Sequence, residues 1–90
     1  MVTHKLNFPL LDGMQAKPAS EITNYFRNFD GDCYILHKAA HANAKSIISL
    51  LGSAIKGGAE IEIRIDSENA EQDMADFLVF LDELATIYNV

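Results

Sequence analysis

Ninety residues make one small domain, with room for a single hydrophobic core. Apolar residues form 49% of the chain, too many for a disordered polymer, yet no apolar run approaches the ~20 residues that span a bilayer. Thirteen acidic against seven basic residues leave a formal charge of −6, which favours solubility and disfavours non-specific binding to nucleic acid.

The N-terminal stretch MVTHKLNFPLLDG has an apolar patch but neither a strongly basic start nor a small-residue cleavage site, so it reads as a strand rather than a signal peptide, and the expected location is the cytoplasm. Val2, His4, Leu6 and Phe8 alternate with Thr3, Lys5 and Asn7, and Pro9 closes the strand. Gly13 allows a tight turn. Pro18 then opens a helical pattern with Ala19, Ile22, Phe26 and Phe29 on one side and Glu21 in its first turns. Asp30-Gly31-Asp32 ends that helix. Cys33 to His37 is prone to form a strand, and Lys38-Ala39-Ala40 turns the chain into a short partner near His41–Asn43.

Ser46 precedes Ile47-Ile48-Ser49-Leu50-Leu51 and is a good candidate to cap a short helix that Gly57-Gly58 closes off. Ile47, Leu50, Leu51 and Ala54 can share much of one face of this helix, while Ile48 with Leu51 defines an exposed edge. From Ala59 to Asp66 the alternation is cleanest, with Ile61, Ile63 and Ile65 facing one way and Glu60, Glu62, Arg64 and Asp66 the other. Ser67 or Asn69 can cap the last helix, whose apolar side runs through Ala70, Met74, Phe77, Leu78, Leu81 and Leu84. The order β-α-β-β-α-β-α, with one polar strand face, predicts an α+β fold in two layers, with helices on one face of the sheet only. No repeat, low-complexity stretch or linker divides residues 1–90.

No catalytic constellation stands out. His4, His37 and His41 lack a metal-ligand spacing, and the single cysteine cannot complete a cysteine-rich site or an intrachain disulfide. His4 reads as a partly buried strand histidine, His37 and His41 as solvated, and Cys33 as a small buried hydrophobe. Charge is unevenly placed. Lys17, Arg27, Lys38, Lys45 and Lys56 outnumber the acids between residues 15 and 56, whereas Arg64 is the only base after Ala59. A phosphate or an acidic partner should therefore meet the middle of the chain. Two helix starts remain as candidate sites. The one at Gln15–Pro18 offers backbone N–H groups to an anion or a partner, or is a plain turn. The one at Lys45-Ser46 offers a serine that is either a simple cap or a modifiable hydroxyl, beside an exposed Ile48 that suits docking.

Gly13-Met14-Gln15-Ala16-Lys17-Pro18-Ala19 resembles the Gly-Leu-His-Ala-Arg-Pro-Ala active loop of the HPr phosphocarrier family of the bacterial phosphotransferase system, and Asn43-Ala44-Lys45-Ser46-Ile47 resembles its regulatory serine motif. The resemblance covers almost the whole chain. It implies an open-faced β-sandwich, a four-stranded antiparallel sheet covered on one side by three helices. It also implies that Gln15 stands where the phosphoacceptor histidine belongs. A side-chain amide is not a practical phosphoryl nucleophile, so transfer from Enzyme I to sugar-specific IIA domains is not expected, and no residue is assigned a catalytic role. Glutamine here beside an intact Ser46 resembles the catabolite-repression type within the family, although that type carries arginine where Lys17 stands and methionine where Ile48 stands.

By the same resemblance, Ser46 is the target of HPr kinase/phosphorylase, found chiefly in low-GC Gram-positive bacteria. The modified chain is a corepressor for a LacI-type catabolite control protein, in carbon catabolite repression. Gln15, Lys17, Lys45, Ile47, Ile48 and Leu51 are the expected partner surface. ATP and magnesium belong to the kinase, so the chain itself needs no cofactor or metal, and it meets neither nucleic acid nor membrane directly. Exposed Ile48 permits a weak homodimer. The alternatives are an HPr-like binding module that regulates an enzyme or sugar uptake system without Ser46 phosphorylation, and a phosphocarrier that uses a nonstandard residue.

Overall fold

A computed structural model describes residues 1–90. Seven elements follow in the expected order: β1 (Val2–Asn7), α1 (Ala16–Tyr25), β2 (Gly31–His37), β3 (Ala40–Asn43), α2 (Ile47–Gly52), β4 (Glu60–Ser67) and α3 (Ala70–Tyr88). The strands form one antiparallel sheet in the order β1-β4-β2-β3. The strand with the cleanest alternation therefore lies inside the sheet. Ile61, Ile63 and Ile65 are fully buried and pair with Leu6, His4 and Val2 on one side. On the other side Ile63 and Ile65 face Ile35 and Cys33, and both of these are buried as well. The three helices cover this apolar face, and Glu60, Asp66, Asp32 and Tyr34 stay exposed on the other, which is the open-faced α+β sandwich that the sequence implies.

The centre of the helical layer is aromatic. Phe26 lies 5.0 Å from Tyr25, 5.1 Å from Phe29 and 4.8 Å from Phe77 between ring centroids, distances at which edge and tilted contacts add to plain burial. Along α3, Ala70, Met74, Phe77, Leu81 and Leu84 are buried at a helical spacing. No helix of the chain is long and apolar enough to cross a membrane.

Several expectations need correction. His4 occupies the core face but is exposed, because β1 is an edge strand whose middle the helices do not cover. Helix α1 begins at Ala16 rather than at Pro18, which is its third residue, a place where the missing N–H costs nothing. It ends at Tyr25, well before Asp30, because Phe26 turns into the core as the C-cap and Phe29 follows it. Glu21 sits beyond the first turn. Asn69 holds the N-cap position of α3 without a side-chain cap bond, while Ser67 donates to Asp73 Oδ2 at 2.6 Å. In α2 only Leu50 is buried, and Ile47, Leu51 and Ala54 are exposed. Six residues give less than two turns, too few for a broad inward face.

Candidate functional site

Gln15 is the N-cap of α1, with φ −87° and ψ 173°, yet its side chain does not cap the helix. Instead Nε2 donates to the Asp12 carbonyl at 2.8 Å, which folds the amide back over its own loop. Ala16 and Lys17 then present backbone N–H groups with no acceptor within the chain, and Pro18 has none to offer. The loop is held from both sides. Met14 donates its N–H to the Ile55 carbonyl at 2.8 Å, and Gly13, at φ +78°, lies so close that a Cβ there would stand 2.6 Å from the same oxygen. From the far end of the chain, Asn89 accepts from Leu11 N–H at 2.9 Å and donates to the Pro9 carbonyl at 2.8 Å. The Tyr88 hydroxyl donates to the Glu21 carboxylate, and that bond raises its pKa above the ordinary tyrosine value of 10.0. A concavity of about 340 Å³ results, lined by Gln15, Asp12, Pro18, Leu10 and Tyr88 among others. It is open to solvent. Its central residue is a neutral amide that can orient a partner but cannot accept a phosphoryl group. Lys17, exposed beside it, makes no ion pair.

The second helix start differs because its side chain does cap. Ser46, with φ −124° and ψ 114°, accepts the Ser49 N–H on Oγ at 3.2 Å. Asn43 braces the approach, since its Oδ1 accepts from Lys45 N–H at 2.9 Å and its own N–H donates to Ser49 Oγ at 2.8 Å. Ser46 is neither buried nor fully exposed. The apolar residues around it are solvent-facing, with Ile47 37%, Ile48 80% and Leu51 41% exposed. A hydroxyl at the positive end of a helix, beside apolar groups in contact with water, can carry added charge without unfolding its surroundings.

Lys45 is turned elsewhere. Its ammonium donates to the Phe29 carbonyl at 2.8 Å and lies 5.9 Å from that ring's centroid, so it braces the loop after α1. His37 is half-buried, with Nδ1 at 3.2 Å from the Glu60 carbonyl, and His41 is exposed. Burial pushes the Cys33 thiol up to about 12, so it is no nucleophile at neutral pH. No His, Cys, Asp or Glu side chains gather as a metal site. Sequence reasoning missed Asn89 and the hydrogen bonds of Tyr88 and Asn43. Asn89 bonds to residues 78 and 80 positions away and leaves no local trace, whereas Asn43, two residues before Lys45, carries the signal of an Asx turn.

Residues 2–83 match the family model described as the PTS HPr component phosphorylation site. The HPr-like protein Crh of Bacillus subtilis (strain 168) is 26% identical over 83 residues, 92% of this chain and 98% of its own. The phosphocarrier protein HPr of Mycoplasma capricolum subsp. capricolum is 35% identical over 60 residues, 67% of each chain. Among solved structures, a histidine-containing phosphocarrier protein of Mycoplasma superimposes with a TM-score of 0.85 at 26% identity, over 93% of this chain and 96% of that one. The Crh crystal structure of B. subtilis gives 0.70 at 26%, over 92% and 95%. Carriers and Crh-type regulators are thus both among the relatives. With both helix starts formed and the sheet order in place, the chain belongs to the HPr family of the phosphotransferase system, a family of non-catalytic phosphocarrier and regulatory proteins rather than enzymes.

Proposed function

We propose that the chain is a regulatory member of this family, of the catabolite-repression type, whose signal enters as phosphate on Ser46. The observation that carries the reading is the contrast between the two helix starts. At the first, the side chain is an amide folded onto Asp12. At the second, a partly exposed hydroxyl caps α2 beside the water-facing Ile47, Ile48 and Leu51. In this reading HPr kinase/phosphorylase modifies Ser46, and the phosphoserine, with Gln15, Lys17, Lys45, Ile47, Ile48 and Leu51, meets a LacI-type catabolite control protein. The phosphate supplies charge-assisted bonds and the apolar residues supply contact area.

The test is incubation with purified HPr kinase/phosphorylase and ATP, followed by mapping of the modified residue. One phosphate per chain on Ser46, and none on Ser46→Ala, is the expected result. Stoichiometric uptake elsewhere refutes the assignment. A parallel incubation with Enzyme I and phosphoenolpyruvate should leave no acid-labile phosphate, and its appearance would revive a carrier role.

One observation favours a second reading, a binding module that acts without phosphoserine. The Lys45 ammonium is occupied by the Phe29 carbonyl and so is not free to pair with a phosphate on its neighbour. In that case the unmodified chain binds its partner as tightly as the modified one. The crystallised Crh of B. subtilis forms a swapped dimer. A homodimer of this chain would show in sedimentation as a mass that rises with concentration.

A further inference from the structure

Another concavity of the molecule includes no residue of either helix start in its lining. It has a volume of about 820 Å³, open to solvent, within the size range of small-molecule sites. The β2–β3 turn forms one wall and the segment from α2 to β4 forms the other. Four alanines, Ala39, Ala40, Ala54 and Ala59, give it apolar surface, and its titratable side chains are His37, Lys38, Lys56 and Glu60. Its lining thus carries two lysines and one glutamate in a chain whose overall charge is −6.

The backbone adds an independent observation. The chain has only two non-glycine residues with positive φ, Lys38 at 55° and Ala54 at 52°, and both line this concavity. A two-residue hairpin turn and a helix C-terminus each call for a left-handed residue, and glycine meets that need with least strain. Lysine and alanine keep a side chain at each place: a cation in one wall and a methyl group in the other. His37 is also held in place. The Glu60 carbonyl, 3.2 Å from Nδ1, can only accept, so that nitrogen carries the hydrogen and fixes the ring. The Ser53 hydroxyl donates to the Leu50 carbonyl at 2.6 Å, so it is held against the backbone of α2. Its chemistry is binding. Lysine ammoniums act as compact point charges, suited to a phosphate group more than to planar two-point recognition of a carboxylate.

We propose that this concavity is an anion site for a small phosphate monoester of sugar-phosphate size, bound by Lys38 and Lys56 with its body against the alanines. Neither Gln15 nor Ser46 lines it. The test is amide chemical-shift titration of the full chain with glucose 6-phosphate, inorganic phosphate and glucose as probes. Glucose 6-phosphate should shift residues 37–40 and 53–60 saturably. Inorganic phosphate should bind the same residues more weakly because it leaves the alanines bare, and glucose should not bind. Lys38→Gln and Lys56→Gln are both at exposed positions, so the fold survives them. Together they should weaken binding about tenfold or more, whereas Arg27→Gln, a charge loss elsewhere, should change it less than about twofold. The proposal is overturned by shifts centred on residues 15–18 or 46–51, by an equal response to glucose, by the absence of saturable shifts, or by an unchanged affinity in the double variant.

Discussion

Replacing Ser46 by alanine and by aspartate separates what the hydroxyl does for the fold from what it does as an acceptor. The alanine variant loses one cap bond, from Ser49 N–H to Oγ at 3.2 Å. That is the long limit for an N–H···O bond, so the loss falls in the lower part of the usual capping range, about 0.5–1 kcal/mol. Helix α2 has six residues and one fully buried anchor, Leu50, so little else compensates. For a domain of this size the loss corresponds to a fall in Tm of roughly 2–8 °C. Aspartate caps as well as serine and places negative charge at the positive end of the helix, a gain of about 0.3–1 kcal/mol. Ser46→Asp should therefore melt within about 2 °C of the parent, or above it. Thermal unfolding by circular dichroism at low ionic strength measures both. An unchanged Tm in the alanine variant, or an aspartate variant less stable than the alanine one, would refute the view that the α2 start welcomes charge.

Three further outcomes are expected. Gln15→His should restore an acceptor in a loop whose Ala16 and Lys17 amides are already free, so Enzyme I and phosphoenolpyruvate should now yield acid-labile phosphate, measured by its loss on acidification. Asn89→Ala removes both bonds to Pro9 and Leu11 and should cost about 1 kcal/mol, with amide exchange at Leu11 accelerating more than exchange in the sheet. At alkaline pH the Cys33 thiol, at about 12 in the fold against 9.0 unfolded, keeps its proton longer in the native state. Its contribution is fully present below about 9 and is lost as pH rises from there towards 12, and the raised hydroxyls of Tyr25 and Tyr88 act in the same direction. Denaturant unfolding between pH 8 and 11 should show stability falling, less so in Cys33→Ala.

What could be read from the sequence was whatever repeats over several residues or sits at a fixed local offset. The strict alternation from Glu60 to Asp66 placed β4, and a serine ahead of an apolar run placed the cap of α2. What escaped was set by distant partners or by too few residues. The end of α1 depends on Phe26 reaching Phe77, half the chain away, and no local stop signal marks it. The inward face of α2 rests on Leu50 alone, because one and a half turns hold no periodicity to read. The clamp of Asn89 on Pro9 and Leu11 joins the two ends of the chain and has no sequence pattern at all.

A second contact, between the loops of Gly13 and Gly57, explains how the first helix start keeps its shape with glutamine in it. Its geometry comes from backbone against backbone. A Cβ at Gly13 would press on the Ile55 carbonyl at 2.6 Å, and one at Gly57 on the Leu11 carbonyl at 2.1 Å, so the two loops are locked whatever side chain stands at position 15. Gln15 supplies only a bond to Asp12, on the outside of that lock. The residue that would carry transfer chemistry is thus not a residue that builds the loop, and an acceptor can be lost with no structural penalty. At position 46 the two roles share one oxygen, because the hydroxyl that could take phosphate is also the cap of α2. Substitution there always touches the fold. The first acceptor can therefore be lost freely, whereas the capping bond holds the second in place whether or not it also signals, so the kinase incubation, and not the presence of Ser46, separates a signalling serine from a structural one.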